Sequence, residues 1–367
     1  RGDPRVNNVV PDHYVYASDE GGNAERRPGG SGSGGSGSIG TQVIPAGVQR
    51  VGAPTEWAKG VTGTGVGIAV IDTGIDFNQT DLQPVSATCF TAYSSCQDDN
   101  GHGTHVSGII AARDNGQGVV GVAPGATLYA VKVLNSSGAG TWSSVMAGVD
   151  WVTAHAGSIQ VANMSLGGAG SNSANCGDPD NNGIIDDPLH RSICNSVAAG
   201  VTYVVAAGNN SSQEITQQVP AAYPEVMAIA STSAVDGNNS CRSYSGRIYA
   251  DTASYFTTDG AGVAISAPGE EREDISRGCF VSSIGILSTK LGGGTTRMSG
   301  TSMASPHVAG IAALVKQVQP ALTPAGVRSS ITSGALRIGV APLDSPTSGY
   351  TFDGVREGIG SATSAGP

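Results

Sequence analysis

Apolar residues along the chain form short runs that alternate with stretches of helical spacing. Runs rich in β-branched residues predict strands at 66–71, 128–134, 161–164 and 201–206. Apolar residues at helical spacing predict helices at 102–112, 143–155 and 302–318. This alternation predicts an α/β fold with a mostly parallel central sheet and helices on both faces, which makes three layers.

The same pattern divides the chain into segments. Residues 1–20 are polar and mixed, and residues 21–38 are Gly/Ser-rich, which is typical of a flexible linker. The composition is globular over 39–343, where we expect one domain. Residues 344–367 lack periodic apolar positions, so we expect a loose C-terminal tail.

Composition narrows the possible partners. Of 367 residues, 39% are hydrophobic, enough for a large core, and the net charge is −10. A negative chain is a poor partner for nucleic acid, because phosphate binding needs clustered Lys and Arg. The apolar runs are too short to span a bilayer, so we expect no membrane partner. The chain begins at Arg1 without a signal peptide, so we expect a processed or truncated piece of a longer precursor.

Six cysteines, an even number in polar and Gly-rich surroundings, indicate disulfides and an oxidising compartment. Cys176 and Cys194 bracket one insert, and their pairing would close only a short loop. The same preference for local pairing joins the others as Cys89–Cys96 and Cys241–Cys279.

Three Gly-flanked segments carry candidate chemistry. They are AVIDTG at 69–74, NGHGTH at 100–105 and SGTSMASPH at 299–307. A hydroxyl nucleophile needs a base, and the base needs an acid that fixes its tautomer. Asp72, His102 and Ser302 supply that set.

Each residue alone has a simpler interpretation. Asp72 fits a turn, and Ser302 fits a helix N-cap. His102 and His105 could bind a metal, but they are three residues apart with no Glu between them, unlike HExxH. The order Asp, His, Ser is the order of the subtilisin triad.

Over residues 41–332 the chain resembles the subtilisin-like serine proteases, through the motifs VIDTGID, NGHGTHVSG and GTSMASPHVAG. The resemblance implies that Asp72 is the orienting acid, His102 the general base and Ser302 the nucleophile, with His105 structural. It also implies that Asn209, in VAAGN, forms the oxyanion hole with the backbone N–H of Ser302. The implied protein is a secreted, monomeric endopeptidase that works through an acyl-enzyme.

The resemblance further implies a groove that binds peptides by strand addition, with broad specificity and a preference for apolar upstream residues. The expected walls of the first pocket are Ser165, Leu166 and Gly167 on one side and Ala206, Ala207 and Gly208 on the other. The expected upstream strand contains Ser137, Gly138 and Gly140. Trp142 and Val145 are expected around an apolar pocket that binds the residue four positions before the cut. Trp142 could instead be an ordinary surface aromatic. Gln218 would narrow the floor of the first pocket.

A structural calcium ion is the cofactor that the resemblance implies. The loop at 113–119 offers carbonyl and amide oxygens, which hard cations prefer. The implied ligands are Gln42, Asp81, Arg113, Asn115, Gln117 and Val119. A solvated turn is the alternative.

A second candidate calcium loop lies in the insert before Cys194. Asp178, Asp180 and Asn182 alternate as in the first half of an EF-hand loop. Leu189 stands where that loop would have its Glu, so Asp186 or Asp187 would have to complete the shell. An acidic turn held by the disulfide explains the pattern equally well.

Residues 1–17 resemble the strand-forming tail of the family's inhibitory pro-segment, and residues 41–45 resemble a mature N-terminus. The expected partners are therefore protein and peptide substrates and the chain's own pro-segment as an intramolecular inhibitor. Maturation would remove the first few dozen residues, at or within the linker.

Two other classes of protein fit less well. A catalytically silent binding domain on the same fold should have lost a triad residue or Asn209. An α/β-hydrolase needs a GxSxG elbow and the order Ser, Asp, His, but Ser302 lies in GTSMA. The sequence therefore predicts an active endopeptidase.

Overall fold

The fold is given by a computed structural model, which describes residues 11–18, 41–82, 85–172, 176, 187–336 and 358–366. The strands are β1 (Tyr14–Ala17), β2 (Gly67–Asp72), β3 (Phe90–Thr91), β4 (Thr127–Lys132), β5 (Ala139–Thr141), β6 (Val161–Met164), β7 (Leu166–Ala169), β8 (Thr202–Ala206), β9 (Gln218–Val219), β10 (Met227–Ser233), β11 (Val263–Glu270), β12 (Arg272–Ile275), β13 (Val281–Ile284), β14 (Ile286–Thr289) and β15 (Thr295–Met298). The helices are α1 (Ala46–Arg50), α2 (Ala53–Trp57), α3 (His102–Ala111), α4 (Trp142–Ala154), α5 (Pro188–Ala198), α6 (Thr301–Val318) and α7 (Pro324–Ser333). Short 3₁₀ turns cover Thr80–Leu82, Ile215–Gln217 and Ala362–Ala365.

Seven parallel strands form the central sheet, in the order β11-β10-β8-β6-β2-β4-β3. The four strands predicted from apolar runs, β2, β4, β6 and β8, lie side by side near its middle. Their residues are almost all buried, as expected for strands covered on both faces. The predicted fold class is confirmed, while β10 and β11 extend the sheet beyond the prediction.

Helices cover the two faces of this sheet. One core packs α3 and α6 against the sheet through residues such as Val106, Ile110 and Leu314. The other packs α4 and α5 through residues such as Val149 and Ile193. The three predicted helices begin and end within one residue of the observed ones, which confirms the three-layer arrangement.

A second, four-stranded sheet lies at the edge of the fold and contains β1. Its order is β5-β1-β7-β9, and every neighbouring pair is antiparallel. The segment near the N-terminus thus inserts as a central strand between two strands of the globular domain.

The end of the chain differs from the loose tail expected over 344–367. Within 358–366, Ile359 is buried and bridges to Leu336 and Ser266, while Ala362 and Ala365 enter the first core. The expectation was wrong for these residues, since so few small apolar side chains produce no periodic pattern. Residues 337–357 lie outside the described part of the chain.

All three predicted disulfides are confirmed: Cys89–Cys96, Cys176–Cys194 and Cys241–Cys279. Among the described residues, no helix combines the length and apolar character that crossing a bilayer requires.

Ile359→Ala should lower the free energy of unfolding by about 2–4 kcal/mol, because it leaves a cavity in a packed core. Urea denaturation measures this, with Val235→Ala as the matched control, since Val235 is 38% exposed. Equal midpoints for the two variants would contradict the packed C-terminal segment.

Candidate active site

Asp72 and His102 form a buried pair at the carboxyl edge of the central sheet. Asp72 is the last residue of β2, and His102 is the first residue of α3. His102 Nδ1 lies 2.8 Å from Asp72 Oδ1 and 3.0 Å from Oδ2, and the backbone N–H of Thr73 donates to the same Oδ1. The carboxylate therefore fixes which imidazole nitrogen carries the proton.

The start of α3 is held unusually close to β2. A Cβ at Gly103 would lie 2.2 Å from the Gly74 carbonyl oxygen, so only glycine permits the approach. Buried Asp98 accepts from the backbone N–H groups of Gly101 and Thr104, and from the hydroxyl of Thr73. A carboxylate at a helix N-terminus is favourable, and here it anchors the turn that presents His102.

Ser302 lies in the first turn of α6, behind Gly300. Gly300 has φ 149°, which favours glycine, and its N–H donates to the Gly269 carbonyl. The Ser302 hydroxyl donates to the Ser165 carbonyl over 3.0 Å. Ser165 Oγ in turn donates to the Ser302 carbonyl over 2.9 Å, so the turn and the strand end are linked twice.

Asn209 follows β8 and points its side-chain amide towards the same place. Its Oδ1 accepts from the backbone N–H and the hydroxyl of Thr301, both over 2.9 Å. These two bonds orient the amide so that Nδ2 faces outwards as a donor.

The carbonyl oxygen of Ser18 sits between two donors. Asn209 Nδ2 donates to it over 2.8 Å, and the backbone N–H of Ser302 donates over 3.2 Å. Two fixed donors on one carbonyl oxygen form the arrangement that stabilises a developing oxyanion. The N–H of Ser18 donates to the Ser165 carbonyl over 3.1 Å, which fixes the residue from its other side.

Upstream of Ser18 the segment lies between the predicted upstream strand, at 138–140, and the predicted wall at 165–167. Val15 pairs with Gly140, Tyr16 with Gly167 and Ala17 with Leu166. The N–H of Ala17 donates to the Gly138 carbonyl over 2.9 Å. Ser137 makes no such bond; its N–H donates to the side chain of Asn135.

Val15 is fully buried. It is the fourth residue upstream when Ser18 is counted as the first. It belongs to the same apolar cluster as Trp142, Val145 and Leu166. Trp142 is 8% exposed, and its backbone N–H donates to the His13 carbonyl over 3.1 Å. The structure thus places Trp142 and Val145 in the core around Val15 rather than on the surface.

The other wall follows β8. Ala206 and Ala207 are buried at the strand end, and the N–H of Gly208 donates to the Thr301 hydroxyl. A Cβ on Gly208 would lie 3.4 Å from Gln218 Cγ, and Gln218 Nε2 donates to Gln213 Oε1 over 2.5 Å. Gln218 therefore packs against this wall.

Hydrogen bonds link the predicted calcium ligands at 113–119 to Asp81 and Gln42. Buried Asp81 accepts from Asn115 Nδ2 over 3.1 Å and from the N–H of Val119 over 3.0 Å. Gln42 Nε2 donates to the carbonyls of Arg113 and Val119. The N–H of Gln117 donates to Asn115 Oδ1.

The chemistry of this set fits a hard cation. Its atoms are a carboxylate, amide oxygens and carbonyls, the ligands that calcium prefers. Burial raises the pKa of Asp81, while the hydrogen bonds from Val119 and Asn115 and the charge of Arg113 act in the opposite direction. Rotating the Gln42 amide by half a turn would point its oxygen at the space between the two carbonyls.

The second candidate calcium loop is not described, because Asp178, Asp180 and Asn182 lie outside the described residues. Asp187, which could have completed it, is instead the N-cap of α5 and accepts from the N–H groups of Leu189 and His190. Nearby, Cys176 and Cys194 approach His190 and Glu225 as a metal site would. The disulfide between these cysteines removes the thiolates that a metal needs.

Comparison with known proteins agrees with this geometry. Residues 63–360 match the model of the subtilase family. The chain belongs to the subtilase family. It is 37% identical to subtilisin DY of Bacillus licheniformis over 301 residues, which cover 81% of this chain and 93% of that protein.

Other relatives are equally similar. Subtilisin Savinase of Lederbergia lenta is 38% identical over 303 residues, covering 82% of this chain and 95% of that protein. Subtilisin E of Bacillus subtilis (strain 168) is 36% identical over 302 residues, covering 81% of this chain and 68% of that protein. This subtilase is a subtilisin-like serine endopeptidase.

Sequence reasoning missed two residues of the site. Asp98 carries a usable signal, an acid just before a predicted helix start. For Ser18 the only signal is the resemblance of residues 1–17 to a pro-segment tail, because its position depends on a long-range pairing between β1 and the groove.

Two further histidines of the subtilase lie buried behind the site. Burial is the main cause that lowers the pKa of His105 to about 3, and the neighbouring His102 lowers it further. The Nε2 atom of His105 donates to the Ile286 carbonyl. Burial lowers the pKa of His307 to about 4, and its Nδ1 donates to the Met303 carbonyl. Both are therefore neutral, structural imidazoles at neutral pH.

These two histidines should make the fold acid-sensitive. Unfolded histidine binds a proton below about pH 6.5, whereas the folded residues do so only below about pH 4, so stability is lost as pH falls through that window. At pH 5 each should cost about 2 kcal/mol. The melting temperature of His307→Gln should therefore fall less steeply with pH than that of wild type.

His155→Gln is the control, because His155 is partly exposed and hydrogen-bonded to the Trp151 carbonyl. Parallel curves of melting temperature against pH for wild type and His307→Gln would refute the role of His307.

Proposed function

We propose that this subtilase cleaves peptides through an acyl-enzyme on Ser302, with His102 as general base and Asp72 as the orienting acid. The Ser302 oxygen attacks the scissile carbonyl carbon while His102 Nε2 takes the hydroxyl proton. Asp72, at Nδ1, stabilises the imidazolium that forms. His102 then gives the proton to the leaving amine, and water hydrolyses the acyl-enzyme in the reverse sequence.

Asn209 Nδ2 and the Ser302 N–H stabilise the oxyanion of the tetrahedral intermediate. Their donors already converge on one carbonyl oxygen, so little reorganisation is needed during the reaction. Thr301 is a positioning residue, because it touches the Asn209 oxygen and not the reacting carbonyl.

We further propose that the chain is a zymogen and that its first cut is at Ser18–Asp19. One observation carries this proposal: the Ser18 carbonyl oxygen occupies the oxyanion hole. This proposed first cut would lie upstream of the linker, whereas the sequence predicted removal at or within it. Later trimming of the linker is compatible with this first cut.

Residues 11–18 would block the groove until they leave. Besides the strand pairing, the Asp12 carboxylate accepts from the N–H and the hydroxyl of Ser143 at the start of α4. Hydrogen bonds from the Ser143 side chain and backbone lower the pKa of Asp12, so the charged form favours docking.

Broad specificity with an upstream apolar preference follows from the same contacts. Main-chain pairing with β5 and β7 does not depend on the side chains of the substrate. Val15, buried in the apolar cluster with Trp142, marks the position where an apolar residue is favoured.

An extracellular location is part of the proposal. Three disulfides are stable in an oxidising compartment and would be reduced in a cytosol. Calcium at Asp81 and its neighbours would act there as a structural ion, tying the segment at Gln42 to the loop that follows α3.

The full chain should process itself, and Ser302→Ala should stay intact. Loss of the nucleophile removes acyl-enzyme formation, while the fold and the docked segment remain. N-terminal sequencing of the wild-type product should read Asp-Glu-Gly-Gly, the residues from Asp19. Ser329→Ala, on the exposed surface of α7, is the control and should process normally.

Two results would overturn this. Processing of Ser302→Ala at the wild-type rate would remove Ser302 as the nucleophile. A first product that starts elsewhere would remove Ser18–Asp19 as the first cut.

Calcium should raise the melting temperature of wild type, and Asp81→Asn should remove most of that rise. An ion that binds only the folded state adds about 2.7 kcal/mol at a hundred times its Kd. Asp114→Asn is the matched control, since Asp114 is exposed in the same loop and lies outside the proposed ligand set. Equal calcium dependence in the two variants would exclude this site.

A further inference from the structure

A cavity of about 420 Å³ lies beside the upstream end of β1. Its walls come from the start of α4, the end of β7, the start of α5 and the residues around β9. Pro11, Asp12 and His13 of the docked segment complete its mouth. This volume is within the range of small-ligand pockets, roughly 300–1,000 Å³.

The register of β1 determines which side chain faces this cavity. Side chains alternate along a strand, so one set faces the groove and the other faces outwards. Tyr14 and Tyr16 are 68% and 52% exposed, whereas Val15 is fully buried. His13 belongs to the set of Val15 and Ala17, and the Trp142 N–H fixes its carbonyl at the mouth of the cavity.

The cavity walls are mainly apolar. They include the side chains of Trp142, Met146, Leu189 and Val219 and the ring of Tyr223. The Tyr223 ring stacks on His190, with centroids 4.2 Å apart, so it forms a firm wall.

The charged groups at the cavity are already engaged within the protein. Asp187 Oδ2 accepts from the Tyr223 hydroxyl over 2.5 Å, and Oδ1 caps α5. Asp12 is bound by Ser143. Because the walls are mainly apolar and these two carboxylates already have hydrogen-bond donors, burying a charged side chain here would cost desolvation without a new partner, and the cavity favours an apolar occupant.

We propose that this cavity is a sixth upstream subsite, which binds a large apolar or aromatic side chain at the substrate position that His13 takes in the docked segment. The proposal rests on the proposed function, because it assumes that substrates follow the path of β1. His13 lines the mouth and is exposed, so the chain's own segment leaves the cavity unfilled. A substrate that fills it gains contacts that the segment lacks.

The test uses the enzyme that the full chain yields when it processes itself. Peptides Pro-Asp-X-Tyr-Val-Tyr-Ala-Ser-Asp-Glu, with the sequence of residues 11–20 and a varied third residue, place X at the sixth position. With X as Leu or Phe, kcat/KM should exceed that with Ala by about tenfold, which corresponds to burial of one apolar side chain. Asp and Arg at X should give no gain over Ala.

A pair of variants on α4 locates the effect. Met146→Asn puts a polar amide into the cavity wall. It should reduce the preference for Leu over Ala to about twofold or less, because burying the Leu side chain against a polar amide gains little free energy. Ala147→Asn makes the same change on the exposed side of the helix and should keep the full preference. A shorter peptide, Val-Tyr-Ala-Ser-Asp-Glu, does not reach the cavity and should be cleaved alike by wild type and Ala147→Asn, and for Met146→Asn the test is the ratio of kcat/KM between Leu and Ala at X.

Three other outcomes would contradict the subsite, its apolar character or the proposed function. Equal kcat/KM for Ala, Leu and Phe, with efficient cleavage of the short peptide, would overturn the subsite and leave the proposed function standing. Preference for Arg would overturn its apolar character. Failure to cleave any peptide would overturn the proposed function and the subsite with it.

Discussion

Three parallel strands that end side by side, β2, β6 and β8, constrain the whole active site. Their pairing is continuous, with β2 bonded to β6 and β6 bonded to β8. The chain therefore leaves the sheet at one edge three times, at Asp72, at Ser165 and shortly before Asn209. Each of these residues would supply one part of the proposed site: Asp72 the acid, Ser165 the carbonyl that accepts from the N–H of the docked segment, and Asn209 the side-chain donor to the oxyanion. Any shift of this register would separate all three.

The two helices that face this edge must then approach it very closely. At α3 the approach requires Gly103, because a side chain there would collide with the Gly74 carbonyl. At α6 it requires the Gly300 turn, and the double link between Ser165 and Ser302 fixes the distance. The glycines in these motifs thus allow the helices to come close enough to place His102 and Ser302 at the edge of the buried sheet.

Much of this could be predicted from the sequence, since the strongest features are local. Apolar runs located the central strands, and Gly-flanked Asp, His and Ser located the candidate triad. Interactions distant in sequence were harder to predict. The resemblance of residues 1–17 to a pro-segment tail predicts a docked strand, but no local pattern identifies Ser18 as the residue whose carbonyl meets Asn209, and nothing near Ile359 indicates that it enters the core. Both depend on where a remote segment docks, which spacing and composition do not encode.

In the proposed zymogen, covalent attachment must be what distinguishes the docked segment, as an inhibitor, from a substrate. Its contacts with β5 and β7 are mainly main-chain hydrogen bonds, which any extended peptide can make. Apart from the contacts of Asp12 and Val15, the groove alone would therefore favour residues 11–18 little over other extended chains. While the segment is covalently attached, its effective concentration is of the order of millimolar, as for other short flexible tethers. Cleavage at the proposed bond breaks that link, and the segment then competes only at the concentration of a free peptide. A single cut would thus turn the proposed intramolecular inhibitor into a product that dilution removes.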